Sequence, residues 1–141
     1  MATVLRLGLG GFLFVLVVAL SGCDQVARYE VSIVIKDDIR AKLIVLEEID
    51  RSLIKVGLRR HSSPNGFDEG GLYEGALTFG ERTSNLMISV KPENRVIQLS
   101  TREWFSSRMT PEMKKIFIEM KTRLLETGEV EAVRVGSREL K

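Results

Sequence analysis

"LMISVKPENRVIQLS", residues 86 to 100, decides the fold class. Leu86, Ile88 and Val90 alternate with Met87 and Ser89, and Ile97 and Leu99 alternate with Gln98 and Ser100. A period of two puts each apolar set on one side of an extended strand. Between the two runs, Lys91-Pro92-Glu93-Asn94-Arg95 has turn chemistry and the length of a hairpin loop. The stretch predicts an antiparallel hairpin with one apolar face. Such a face has to be covered, and the covering elements lie elsewhere in the chain.

"RMTPEMKKIFIEMKTRLLETG", residues 108 to 128, supplies the first of them. Thr110 suits the N-cap, Pro111 the first helical position, Glu112 the positive end of the dipole, and Gly128 the position after the C-cap. The apolar stripe is Met113, Ile116, Phe117, Met120 and Leu124. A second helix starts at a cap on Asp37 or Asp38 and stops at Gly57. Its expected stripe is Ile39, Leu43, Leu46, Ile49 and Leu53, with Arg40, Lys42, Glu47, Asp50 and Arg51 on the solvated side and a Glu47–Arg51 pair at i,i+4.

Further strands are expected where β-branched residues alternate at Val31, Ile33 and Ile35, where Tyr73, Leu77 and Phe79 share a side, and over Val130 to Val135 as an edge strand. "HSSPNGFDEGG", residues 61 to 71, is rich in turn formers and reads as a loop. The order predicts an α+β fold: a two-layer sandwich, an antiparallel sheet with two helices packed on one face. If the first and last strands both join the sheet, the layout resembles an elaborated ferredoxin-like order, which by itself implies no function.

The amino-terminal stretch has a different character. Arg6 precedes the uncharged run Leu7 to Leu20, which is shorter than the ~20 apolar residues of a spanning helix and is weakened by glycines. A charged n-region followed by such a run reads as a removable signal. It closes as Leu20-Ser21-Gly22-Cys23, and Cys23 is the only cysteine in 141 residues. This tetrad resembles the lipobox of bacterial membrane lipoproteins.

The resemblance implies that residues 1–22 are removed and that the Cys23 sulfur carries a diacylglyceryl group. At ~0.8 kcal/mol per buried methylene, two or three acyl chains moor a protein durably. Asp24 and Gln25 resemble the pair that retains lipoproteins of enteric-type bacteria in the inner membrane. The expected address is the bacterial cell membrane, lipid-anchored and periplasm-facing, inner rather than outer. Residues 23–30 then form a short tether and residues 31–141 a single domain. The roughly seven residues between Cys23 and Val31 reach at most ~25 Å, which keeps that domain close to the bilayer.

Charge and composition narrow the rest. Lys plus Arg number 21 against 19 acids, a formal net charge of +2. All the acids and every basic residue but Arg6 follow Cys23, so the domain is near neutral and nucleic acid is not an expected partner. With the one thiol acylated, the domain cannot be disulfide-stapled and depends on its packed core. His61 is the only histidine, which leaves no His- or Cys-based metal site. No cofactor is expected.

His61 with Ser62 and Ser63 lacks the strand-turn-helix context of a nucleophile, and the carboxylates Asp68, Glu69 and Glu74 lack a separated partner in a cleft. The glycines of residues 66 to 75 lack both the Gly-Lys-Ser/Thr ending and the following helix of phosphate loops. Candidate binding residues remain: Phe67 in the loop, Arg59 and Arg60 before it, and Trp104-Phe105, which reads either as a lid on the core or as an exposed anchor. The basic groups near them also suit anionic lipid. The expected function is a membrane-anchored envelope lipoprotein acting as a non-enzymatic module for a protein partner, such as a complex subunit, an inhibitor or an immunity-type factor. The alternative is a carrier or sensor of a lipid, peptide or glycan fragment in a pocket lined by Met87, Met113, Phe117 and Met120, with hydrolysis third.

Overall fold

The alternating runs resolve into β1 (Val26–Ile35), β2 (Arg59–His61), β3 (Gly71–Phe79), β4 (Arg82–Pro92), β5 (Val96–Trp104), β6 (Val130–Val135) and β7 (Arg138–Glu139), with helices α1 (Ile39–Lys55) and α2 (Pro111–Glu126). The computed structural model describes residues 25–61 and 70–141. The expected signal peptide, the acylated Cys23, Asp24 and the loop residue Phe67 lie outside the described residues.

The strands form a seven-stranded sheet in the order β2-β3-β4-β5-β1-β6-β7, antiparallel throughout. The run β4-β5-β1-β6 at its centre, with α1 leaving β1 and α2 joining β5 to β6, has the ferredoxin-like order. The β2-β3 hairpin is inserted between α1 and β4, and β7 is added at the far edge. Both helices lie on one face, and the structure is the expected α+β two-layer sandwich. Their side chains Val45, Ile49, Leu53, Met113, Phe117 and Leu124 share one apolar core with Val31, Ile33, Leu86, Ile88, Ile97 and Leu99. Each such side chain contributes roughly 1.5–3 kcal/mol by leaving water.

Local chemistry fixes the element ends largely as the sequence implies. Asp38 caps α1 by accepting from the Arg40 amide at 3.0 Å. Thr110 caps α2, accepting from the Met113 amide at 3.3 Å, with Pro111 at the first helical position. Gly57 and Gly128 follow the two helices with positive φ, the left-handed conformation that ends a helix most cheaply in glycine.

Four features differ from expectation. β1 begins at Val26 rather than near Val31, because Ala27 and Tyr29 continue the inward alternation opposite Glu103 and Thr101 of β5. The tether between Cys23 and the sheet is correspondingly shorter. The α1 stripe is rotated: Ile39 and Leu43 are exposed, while Ala41, Val45, Glu48 and Ser52 join Leu46, Ile49 and Leu53 in the buried set. Arg59–His61, expected at the entrance to a loop, is a strand on β3. Val130–Val135 is not the outermost strand, since β7 pairs beyond it and Leu140 turns back into the core.

Antiparallel pairing gives the sheet two distinct ends. Gln25, the β3–β4 turn, the segment following Trp104 and the start of α2 gather at one, which we call the tether end. The β1–α1 and β4–β5 connections, the α2–β6 connection, and the residues His61 and Gly70 lie at the other.

Candidate functional site

Both helices pack on one side, and among the described residues no element covers the opposite side of the sheet. Register assigns its residues. Arg59 of β2 lies opposite Glu74, Glu74 opposite Met87, Met87 opposite Arg102, and Arg102 opposite Arg28. One step toward the tether end, Ala76 faces Asn85, and Trp104 faces Val26 on the same side. Arg59, His61, Glu74, Ala76, Met87 and Trp104 line a shallow concavity of about 710 Å³. Its floor is apolar and its rim carries both charge signs, the arrangement of a recognition surface.

His61 Nε2 lies 2.6 Å from Glu74 Oε1, a hydrogen bond in which the imidazole donates. The pair sits on adjacent strands with both groups about half exposed, where such a contact contributes little to stability. The sequence places His61 in a loop and gives no sign of this contact, because it depends on the unforeseen strand β2. Among the described residues lining the concavity, none is a serine, threonine, cysteine or lysine. Among the described residues no group of three acids, histidines or cysteines is placed to hold a metal ion.

The structure separates the other candidates. Arg59 and Trp104 share the concavity, whereas Arg60 alternates to the helix side. There its guanidinium donates to the Gly70 carbonyl at 3.0 Å and lies 3.8 Å from Asp50. Tyr73 donates to the same Asp50 carboxylate at 2.6 Å. Burial, and then the bond to Asp50, raise the Tyr73 phenol above its ordinary range. Arg60 therefore ties β2 to α1. Phe105 stands 57% exposed at the tether end, so it is not a lid on the core, while Trp104 is half-buried.

The tether end is organised by a residue the sequence does not single out. Glu103 is fully buried, on the helix side of β5. It accepts from the Tyr29 hydroxyl at 3.2 Å, from the Thr110 amide at 3.2 Å and from the Thr110 hydroxyl. Burial, reinforced by the Glu103 charge and bond, raises the Tyr29 phenol well above its usual value. The carboxylate sits at the amino end of α2, where the helix dipole favours an anion. Exposed Gln25, the described member of the expected sorting pair, accepts from the Phe105 amide at 2.7 Å. Among the described residues no helix is long and apolar enough to cross a membrane. No protein-family model matches the chain, and no curated protein matches its sequence.

Proposed function

We propose that the protein is a lipoprotein of the bacterial cell envelope, fastened through acylated Cys23 to the inner membrane and facing the periplasm. There it binds a protein partner through the uncovered face of its sheet and is not an enzyme. The anchor rests on Leu20-Ser21-Gly22-Cys23 after a charged n-region and an apolar run. The observation that carries the binding role is the one-sided burial of the sheet. It leaves Trp104, Met87 and Ala76 as an apolar floor between Arg59, Glu74 and His61. A half-buried indole beside a methionine suits an apolar partner side chain, and the flanking charges suit a partner acid for Arg59 and a partner base for Glu74.

A photo-crosslinking residue at exposed Ala76 is expected to give a discrete protein adduct in native membranes, and one at Leu125, on the exposed side of α2, is expected to give none. Loss of the Ala76 adduct on Glu74→Arg would tie it to this face. Equal labelling from the two positions would refute the assignment. Met113, Phe117 and Met120 are buried in the core and do not line the concavity with Met87, so the carrier reading draws instead on the concavity, whose size falls in the range of ligand pockets. Native mass spectrometry of protein from its own membrane separates the two: a retained small molecule at one per chain favours the carrier, a retained polypeptide the binding module.

A further inference from the structure

The segment after β5 holds an aromatic ring out in solvent. Phe105 has φ 62°, the one positive value among the described residues other than glycine, and L-residues adopt that backbone reluctantly. The turn is fixed at both ends. The Phe105 amide donates to the Gln25 carbonyl, and Glu103 binds the Thr110 amide and hydroxyl. Gln25 is two positions after Cys23, at most ~7 Å of chain. The exposed ring is thus built next to the place where the anchor leaves the domain.

The charges around it point the same way. Exposed Arg28, Arg102, Arg108 and Arg82 lie toward this end, against Glu81 and the half-buried Glu112. At the opposite end the signs balance, with Asp37, Asp38, Glu93, Glu126 and Glu129 beside Lys36, Arg40, Lys91, Arg95 and Arg123, so the basic excess belongs to the tether end. Arg28 and Arg102 are direct cross-strand partners. Among the described residues neither forms an ion pair. Like charges directly opposite one another destabilise a sheet, and an anionic surface relieves that repulsion.

We propose that the tether end is a bilayer-contact surface: Phe105 enters the headgroup layer, and Arg28, Arg102 and Arg108 engage anionic lipid phosphates. The inference rests on the acylation of Cys23 proposed above, which keeps the ring beside the bilayer at high effective concentration. Anionic phospholipid is the occupant, since an exposed aromatic with arginines at the same end of the sheet matches an interface of hydrocarbon beneath phosphate. The consequence is a fixed orientation. β1 has 10 residues, so at ~3.3 Å each its far end stands ~33 Å from the lipid. The uncovered face then rises from the membrane, open to a partner from the side.

The chain's single tryptophan makes this measurable. In the full-length protein, Trp104→Phe with Phe105→Trp moves the only indole to position 105, and Trp104→Phe with Ile39→Trp moves it to an exposed site at the opposite end. Each is reconstituted into vesicles of equal parts phosphatidylcholine and phosphatidylglycerol, with bromines placed high on the acyl chains. The indole at 105 is expected to shift to the blue and to be quenched, and the indole at 39 to stay unshifted and unquenched. In the first variant, adding Arg102→Glu and Arg108→Glu is expected to abolish the quenching. Acylated protein with neither indole quenched, with both quenched alike, or with quenching that survives the charge reversal overturns the proposal. Intact mass of the same samples reports the anchor separately, and a bare Cys23 thiol there removes the lipoprotein reading, and the inference with it.

Discussion

Glu103 and Phe105, two residues apart on either side of Trp104, illustrate opposite uses of a side chain. Glu103 is a carboxylate in the core whose three donors all belong to the tether end. Glu103→Ala strands the Tyr29 hydroxyl and the Thr110 amide and opens a cavity, and the expected loss is about 3 kcal/mol in urea unfolding. Tyr29 links the same cluster to pH. Its phenol is raised in the fold, so its contribution is complete below the unfolded value of about 10 and declines as the pH rises past it. Alkaline titration of stability is therefore expected to be shallower in Tyr29→Phe. Phe105 is the reverse case, an exposed ring on a backbone better suited to glycine. Phe105→Gly is expected to leave stability unchanged or raise it by up to about 1 kcal/mol while weakening membrane contact. In "TREWFSS", residues 101 to 107, the sequence leaves Phe105 open between lid and exposed anchor and gives no sign of the role of Glu103. Glu103 follows the inward alternation of β5, yet its partner Tyr29 is 74 residues away. The left-handed turn at Phe105 has no glycine or asparagine to announce it.

At the scale of elements, legibility followed the strength of local pattern. The β4–β5 hairpin and α2 carry strict periodicity and matched end residues, and both stand where the sequence places them. In α1 the apolar residues run round more of the helix than one face needs. Leu46, Ile49 and Leu53 belong to either possible stripe, and the contacts with the sheet and α2 select the side that includes Ala41 and Val45. Leu43→Lys is accordingly expected to change the melting free energy by no more than ~0.5 kcal/mol, whereas Ile49→Ala costs about 2–5 kcal/mol. β2 is legible only through its partner. Arg59-Arg60-His61 has no apolar alternation, and it becomes a strand because β3 offers Glu74, Tyr73 and Leu72 opposite it. Gly70 fixes where β3 begins: at φ +83, an added Cβ would lie 2.0 Å from the Val90 carbonyl oxygen. No flexible side chain absorbs that clash.

For the whole molecule, the sandwich follows from two amphipathic helices and a one-sided set of strands. The asymmetry that matters for function emerges only in three dimensions. The central β4-β5-β1-β6 order brings the amino-terminal strand beside Trp104, and this joins the expected anchor to the aromatic turn and the arginines. The same topology puts His61 and Gly70 at the far end and, among the described residues, leaves one face of the sheet uncovered. No local motif encodes these placements, because each depends on strand order rather than on neighbouring residues. The proposed address, in contrast, rests on local sequence: Arg6, the apolar run, Leu20-Ser21-Gly22-Cys23 and the pair Asp24-Gln25. The proposed membrane address and orientation depend on the Cys23 sulfur. Intact-mass analysis of the protein extracted from its own membrane is the direct test. The account predicts a chain that starts at Cys23 and carries a diacylglyceryl group, and a free thiol at Cys23 or a different first residue would contradict it.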